Sequence, residues 1–91
     1  MYNRQHISGT YKGDILVYAL STCVWCKKTR ALLEELGIGY DYVYVDLEEE
    51  EDQNRIEEEI ASFGEGIGYP TIIINGTECI SGYIPDKIRS L

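Results

Sequence analysis

Residues 15–28 constrain this chain more than any other stretch. Ile15-Leu16-Val17-Tyr18-Ala19-Leu20 is an unbroken apolar run of strand length, bounded by Asp14 and Ser21, and that is the pattern of a central strand covered on both faces. It gives way to Ser21-Thr22-Cys23-Val24-Trp25-Cys26 and then to a helical period in which Ala31, Leu32, Leu33 and Leu36 form an apolar stripe. A strand that enters a helix through two cysteines three positions apart brings both thiols into the helix's first turn, close enough to bridge. The unpaired N–H groups and positive dipole end of that turn favour a thiolate, and Lys27 and Lys28 add full positive charges. Thr22 is the expected N-cap and Gly37 the expected C′ residue. The C-x-x-C spacing by itself also fits half a zinc site or a chance pair; its position between strand and helix is what favours thiol–disulfide chemistry.

The remaining segments complete one pattern. Tyr40 to Val45 sets tyrosines at 40, 42 and 44 against Val43 and Val45, a second strand with different chemistry on its two faces. Because a helix connects it to the first strand, the two form a right-handed βαβ crossover with parallel strands. From Glu48 to about Ser62, Ile56, Ile60 and Phe63 mark an amphipathic helix with acids on its outer face, and Gly66 and Gly68 break it. Thr71 to Ile74 and Glu78 to Ser81 flank Asn75-Gly76, the signal of an antiparallel hairpin with a type I′ turn. Pro85 and Asp86 open a short closing helix that carries Ile88 and Leu91. The order is β-α-β-α-β-β-α: an α/β domain over 15–91 with one four-stranded mixed sheet flanked by helices. Residues 1–14 are polar and aperiodic and read as a flexible or loosely docked arm.

Ninety-one residues suit a single small domain, and 44% hydrophobic content suffices for a core. Neither a membrane-length apolar run nor a signal-peptide pattern occurs, so the chain reads as cytoplasmic with no membrane association. Three cysteines are too few, and odd in number, for a disulfide-stapled secreted scaffold; they suit a reactive pair plus Cys79. The formal charge of −8 belongs to one segment: Asp46 to Ile60 holds nine acids and one base, Arg55, while seven acids and seven bases elsewhere cancel. That excludes a basic nucleic-acid-binding surface and describes, first of all, a solvated helix face. Gly64-x-Gly66-x-Gly68 neither follows a strand nor opens a helix, which excludes dinucleotide binding.

The strand ending in C-x-x-C, Tyr69-Pro70-Thr71 before the third strand, and Ser81-Gly82-Tyr83-Ile84-Pro85-Asp86 before the last helix resemble the glutaredoxin branch of the thioredoxin superfamily. The likeness spans about Ile15 to Leu91. The Ser-Gly-aromatic-x-Pro-Asp stretch is similar to that of glutaredoxin-like redoxins that reduce ribonucleotide reductase. The resemblance implies a thioredoxin-like fold and a thiol–disulfide oxidoreductase, a disulfide reductase without bound cofactor or metal. Cys23 is then the attacking thiol and Cys26 the resolving one, with Lys27 stabilising the thiolate. A cis Tyr69–Pro70 peptide is implied opposite the sulfurs. Trp25, Tyr69, Pro70, Thr71 and Gly82 are the expected substrate-binding residues.

Three departures bear on the electron source. Leu20 stands where glutaredoxins commonly carry the Lys or Arg that holds glutathione's carboxylate, Val24 stands where Pro is usual, and Tyr69 replaces a small residue before the proline. They argue against glutathione dependence and for a protein reductase of the thioredoxin-reductase or another disulfide-reductase type. The expected assembly is a monomer acting on protein disulfides. The alternative function within the resemblance is an iron–sulfur cluster binding or carrier glutaredoxin. A zinc module from Cys23, Cys26, Cys79 and His6 is a further alternative, and it requires arm and strand to converge.

Overall fold

The computed structural model describes residues 2–91 of the chain. Its elements are β1 (Gln5–Ile7), β2 (Ile15–Ala19), α1 (Val24–Glu35), β3 (Tyr40–Tyr44), a 3-10 turn (Val45–Leu47), α2 (Glu50–Ala61), β4 (Thr71–Ile74), β5 (Glu78–Ser81) and α3 (Pro85–Arg89). They form an α/β domain with one mixed sheet in the order β1-β3-β2-β4-β5. β2 runs parallel to β3 and antiparallel to β4, so it is the central strand that its apolar run calls for.

Period-2 alternation divides the core. Ile15, Val17 and Ala19 face Leu32, Leu33, Ile72, Ile80 and Ile88 on the side covered by α1 and α3. Leu16 and Tyr18 face Val43, Ile56, Ile60 and Ile73 on the side covered by α2. Leu33, on the inner face of α1, is fully buried, and Leu33→Ala would cost about 3 kcal/mol through the cavity it leaves. In α2, Glu50, Glu51 and Asp52 occupy the first turn, where the helix dipole favours negative charge. Asn75 and Gly76 both have positive φ, +53° and +70°, as the type I′ turn requires.

The N-terminal segment departs from the expected arm, and the sheet has five strands instead of four. Gln5, His6 and Ile7 pair antiparallel with Tyr42, Asp41 and Tyr40 of β3. Beyond β1, Thr10 exchanges hydrogen bonds with Gly37 and Gly39, of 2.7 and 2.9 Å, and a Cβ at Gly9 would lie 2.5 Å from the Gly39 nitrogen. Close backbone approach, invisible to periodicity, therefore brings this polar stretch onto the domain. Residue 1 of the expected arm lies outside the described residues.

One side-chain cluster joins α1 to β3. The Arg30 guanidinium lies over the Tyr42 ring at 3.6 Å and donates to the Tyr40 and Tyr44 hydroxyls at 3.0 and 2.6 Å, while Tyr40 donates to Glu34 at 2.8 Å. The tyrosine alternation in the sequence is this cluster's floor. It fixes the cysteine-bearing helix against the sheet.

Candidate active site

The two thiols occupy unequal environments. Cys23, rather than Thr22, is the N-cap of α1: its backbone is extended, and its Sγ accepts the Cys26 N–H at 3.1 Å. A sulfur thus takes the place usually held by a hydroxyl or carboxylate oxygen, at the positive end of the helix dipole. The Cys23 N–H bonds back to the Leu20 carbonyl at 3.2 Å, which closes the turn leading from β2. Cys26, one helical turn along, is 1% exposed. Burial pushes its thiol up to about 12, aided by the hydrogen bond with Cys23 and by the charges of Cys23 and Asp46, against an opposing hydrogen bond from the Leu20 backbone. Both cysteines, and the half-buried Cys79, are free thiols.

The second element is the turn into β4. The Tyr69–Pro70 peptide is cis, and the Pro70 carbonyl accepts the Gly82 N–H at 2.8 Å. Gly82 has φ +87° with open space where a Cβ would be, so its glycine answers to backbone conformation rather than to close approach. Trp25, 55% exposed, stacks on Tyr83 with centroids 5.8 Å apart, and Lys28 Nζ sits 4.6 Å above the indole. Trp25, Tyr69, Pro70, Gly82 and Tyr83 together line an open cleft of about 300 Å³. The Tyr69 hydroxyl is buried without a hydrogen-bond partner among the described residues; burial, then the charges of Glu57 and Cys26, raise its pKa above that of an ordinary phenol.

Two expected site residues stand elsewhere. Thr71 is fully buried and its hydroxyl donates to the Gly68 carbonyl at 2.6 Å, so it braces the turn and cannot touch a substrate. Lys27 lines a separate shallow recess with Arg30, Ala31 and Glu34 on the outer surface of α1. Cys79 lies in β5 against the α2-side core and in the wall of a larger recess, of about 530 Å³, that none of the cleft residues lines. Among the described residues no group of three or more His, Cys, Asp or Glu is arranged to hold a metal ion, so Cys23, Cys26, Cys79 and His6 do not converge as a zinc site.

A thiol at a helix N-cap, a buried partner one turn on and a cis-proline turn can be compared with known proteins. A family model described as "Glutaredoxin" matches residues 15–79. The chain belongs to the glutaredoxin family. A glutaredoxin-like 8.6 kDa protein in the rubredoxin operon of Clostridium pasteurianum is 36% identical over 77 residues, covering 85% of this chain and 95% of that protein. The crystal structure of the glutaredoxin from Methanosarcina mazei Go1 superposes with a TM-score of 0.89 at 44% identity, over 96% of this chain and 84% of that one. That of Methanosarcina acetivorans methanoredoxin gives 0.84 at 43% identity, over 90% and 86%. Glutaredoxins are thiol–disulfide oxidoreductases, and this chain is a glutaredoxin-like member of the thioredoxin superfamily with an adjacent Cys23-Cys26 pair. No described helix is long and apolar enough to cross a membrane.

Sequence reasoning passed over three parts of the site. Tyr83 sits inside the diagnostic Ser-Gly-Tyr stretch, yet only its ring's position against Trp25 gives it a role. The orphaned Tyr69 hydroxyl and the hydrogen bonds from Ser21 to Asp46 join residues 25 or more positions apart, or none at all, and leave no local pattern.

Proposed function

We propose that this glutaredoxin passes electrons from a protein disulfide reductase to disulfides of protein targets, with Cys23 as the attacking and Cys26 as the resolving thiol. The observation that carries the reading is the inequality of the two sulfurs. Cys23 caps the helix and receives an N–H, whereas Cys26 is buried and held as a thiol. In the first step the Cys23 thiolate attacks one sulfur of the target disulfide; a Cys23–target bond forms, and the other target sulfur leaves with the electron pair and takes up a proton. In the second, Cys26 loses its proton and its sulfur bonds to Cys23 Sγ. The target sulfur leaves as a thiolate, so the target gains two electrons and the Cys23–Cys26 pair loses them.

The cleft supplies the binding surface. The Tyr69 backbone, unpaired with other backbone groups among the described residues, is assigned to pairing with an extended segment of the target, and Trp25 and Tyr83 to flanking it. Leu20 packs against the α2-side core and offers no cation for a glutathione carboxylate, which supports a protein as electron donor. A redox protein such as ribonucleotide reductase is the class of target proposed, and the relative encoded beside rubredoxin supports a redox setting.

The test is reduction of insulin disulfides together with trapping. Cys23→Ser should abolish turnover, and Cys26→Ser should accumulate target-linked mixed disulfides. Undiminished turnover by Cys23→Ser would overturn the reading. Coupling to glutathione and glutathione reductase alone should be poor; efficient coupling would reassign the electron donor.

A further inference from the structure

The cleft beside the thiols carries at its rim one charge that the thiol exchange does not use. Trp25 and Lys28 stand three residues apart on α1 and so share a face of the helix. The Lys28 ammonium lies 4.6 Å from the centre of the indole ring, and that ring is a wall of the cleft formed with Tyr69, Pro70, Gly82 and Tyr83. Stacking on Tyr83, with centroids 5.8 Å apart, holds the indole, and the indole in turn holds the ammonium at the cleft's edge. Lys27, one residue earlier and about 100° around the helix, lines the outer recess instead.

This ammonium is available to a ligand. Among the described residues no carboxylate pairs with Lys28, whereas Arg4 and Arg55 pair with carboxylates and Arg30 bonds tyrosine hydroxyls. From Ser21 to Leu33 the chain has no acid. The segments that carry the other cleft residues bring acids instead, Glu65 four residues before Tyr69 and Asp86 three after Tyr83. The cleft is therefore polarised, with its cation on the α1 bank. The domain as a whole has the opposite sign, −8, with the excess in residues 46–60. Bulk charge favours a basic target, and the cleft's rim an acidic one. Range decides between them. At physiological salt the Debye length is about 8 Å, and the acids of α2 lie across the sheet from α1, so a cation held at the cleft outweighs them for any group inside it.

We propose that Lys28 selects targets: the segment that enters the cleft carries Asp or Glu beside its reactive cysteine, and that carboxylate pairs with the ammonium held over Trp25. The inference deepens the proposed disulfide-reductase function and rests on it. Lys28 takes no part in the bond exchange. It determines which disulfides reach Cys23, and because Trp25 already restrains its side chain, less freedom is lost on pairing than with an unrestrained lysine.

The experiment uses the reduced full-length chain carrying Cys79→Ala and three synthetic peptides, each with one cysteine flanked on both sides by Glu, by Gln or by Lys and joined through a disulfide to thiopyridine. The Cys23 thiolate attacks the peptide sulfur. A Cys23–peptide bond forms, and the thiopyridine sulfur leaves with the electron pair, takes up a proton and is read by absorbance; Cys26 then bonds to Cys23 Sγ and frees the peptide thiol. At about 0.15 M salt, release should be about threefold faster from the Glu peptide than from the Gln peptide, and slowest from the Lys peptide. Lys28→Met keeps an apolar stem over the indole and loses the charge, and it should bring the Glu and Gln rates together. Flanking charge also changes a peptide's own reactivity, so the quantity read is the change in the Glu-to-Gln ratio between proteins, which a structural loss that slows all three peptides alike does not move. Lys87→Met makes the same charge change in the separate recess beside Cys79 and should keep the threefold preference. Fastest release from the Lys peptide, a Glu preference that survives Lys28→Met, or an equal loss of it in Lys87→Met would overturn the inference. Failure of the underlying redox reading is distinct: thiopyridine release would then be undiminished by Cys23→Ser.

Discussion

The two ends of the central strand β2 are built on opposite principles. At its N-terminal end, charge is matched by charge. Arg4 bonds Asp14 at 2.8 Å and Asp41 at 2.5 Å, His6 Nδ1 lies 2.6 Å from Asp41, and together they hold β1 to β3. At its C-terminal end no described ion pair occurs; a sulfur caps a helix, an anion is held only by neutral donors, and Trp25 and Val24 stand exposed. Matched charges resist change, since each state of one group is stabilised by the other. A sulfur that accepts a single backbone N–H can exchange partners at little cost, which thiol chemistry requires.

The contrast breaks hardest at Cys23. Cys23→Ser should lower disulfide reduction by about a thousandfold while leaving the thermal midpoint within a few degrees, because serine also caps a helix. A large loss of stability in calorimetry would show that this end is structural as well.

Cys26 gives the next effect, and its sign follows from burial. Its folded thiol titrates near 12, above the unfolded value, so its contribution to stability is complete below the unfolded value and fades as pH rises from about 9 towards 12. Urea unfolding of the reduced protein should show about 2 kcal/mol lost by pH 11 that the reduced Cys26→Ser variant does not lose. Parallel pH dependences in the two proteins would refute the assignment.

At the opposite end, Asp41→Asn should cost about 1 kcal/mol in urea unfolding at neutral pH with no change in reaction at Cys23. Despite desolvation, the His6 and Arg4 hydrogen bonds hold the Asp41 carboxyl below its usual range. Its contribution is therefore present above the unfolded value and lost as pH falls, and the variant should show a flatter acid limb. The smallest effect is expected at Trp25. Trp25→Ala should raise KM for a protein disulfide about threefold with kcat held, as loss of a contact surface demands.

How far the sequence could be read depended on the range of the forces involved. β2, the hairpin at Asn75-Gly76 and the apolar faces of α1 and α2 are consequences of local pattern, and their boundaries agree with it to within about two residues. Tyr69–Pro70 was legible through family resemblance rather than through its own chemistry. β1 was not legible, because Gln5-His6-Ile7 has neither alternation nor β-branched content beyond one residue, and its pairing depends on Arg4, Asp41 and the contact between Gly9 and Gly39. Asp46 was hidden for the opposite reason: eight neighbouring acids explained it too easily.

The Arg30 cluster has a mechanical consequence. A guanidinium stacked on one tyrosine and bonded to two others pins α1 one turn beyond Cys26, as a vice grips a blade close to its cutting edge. When the sulfurs change partners, the helix around Arg30 is therefore expected to keep its place against the sheet.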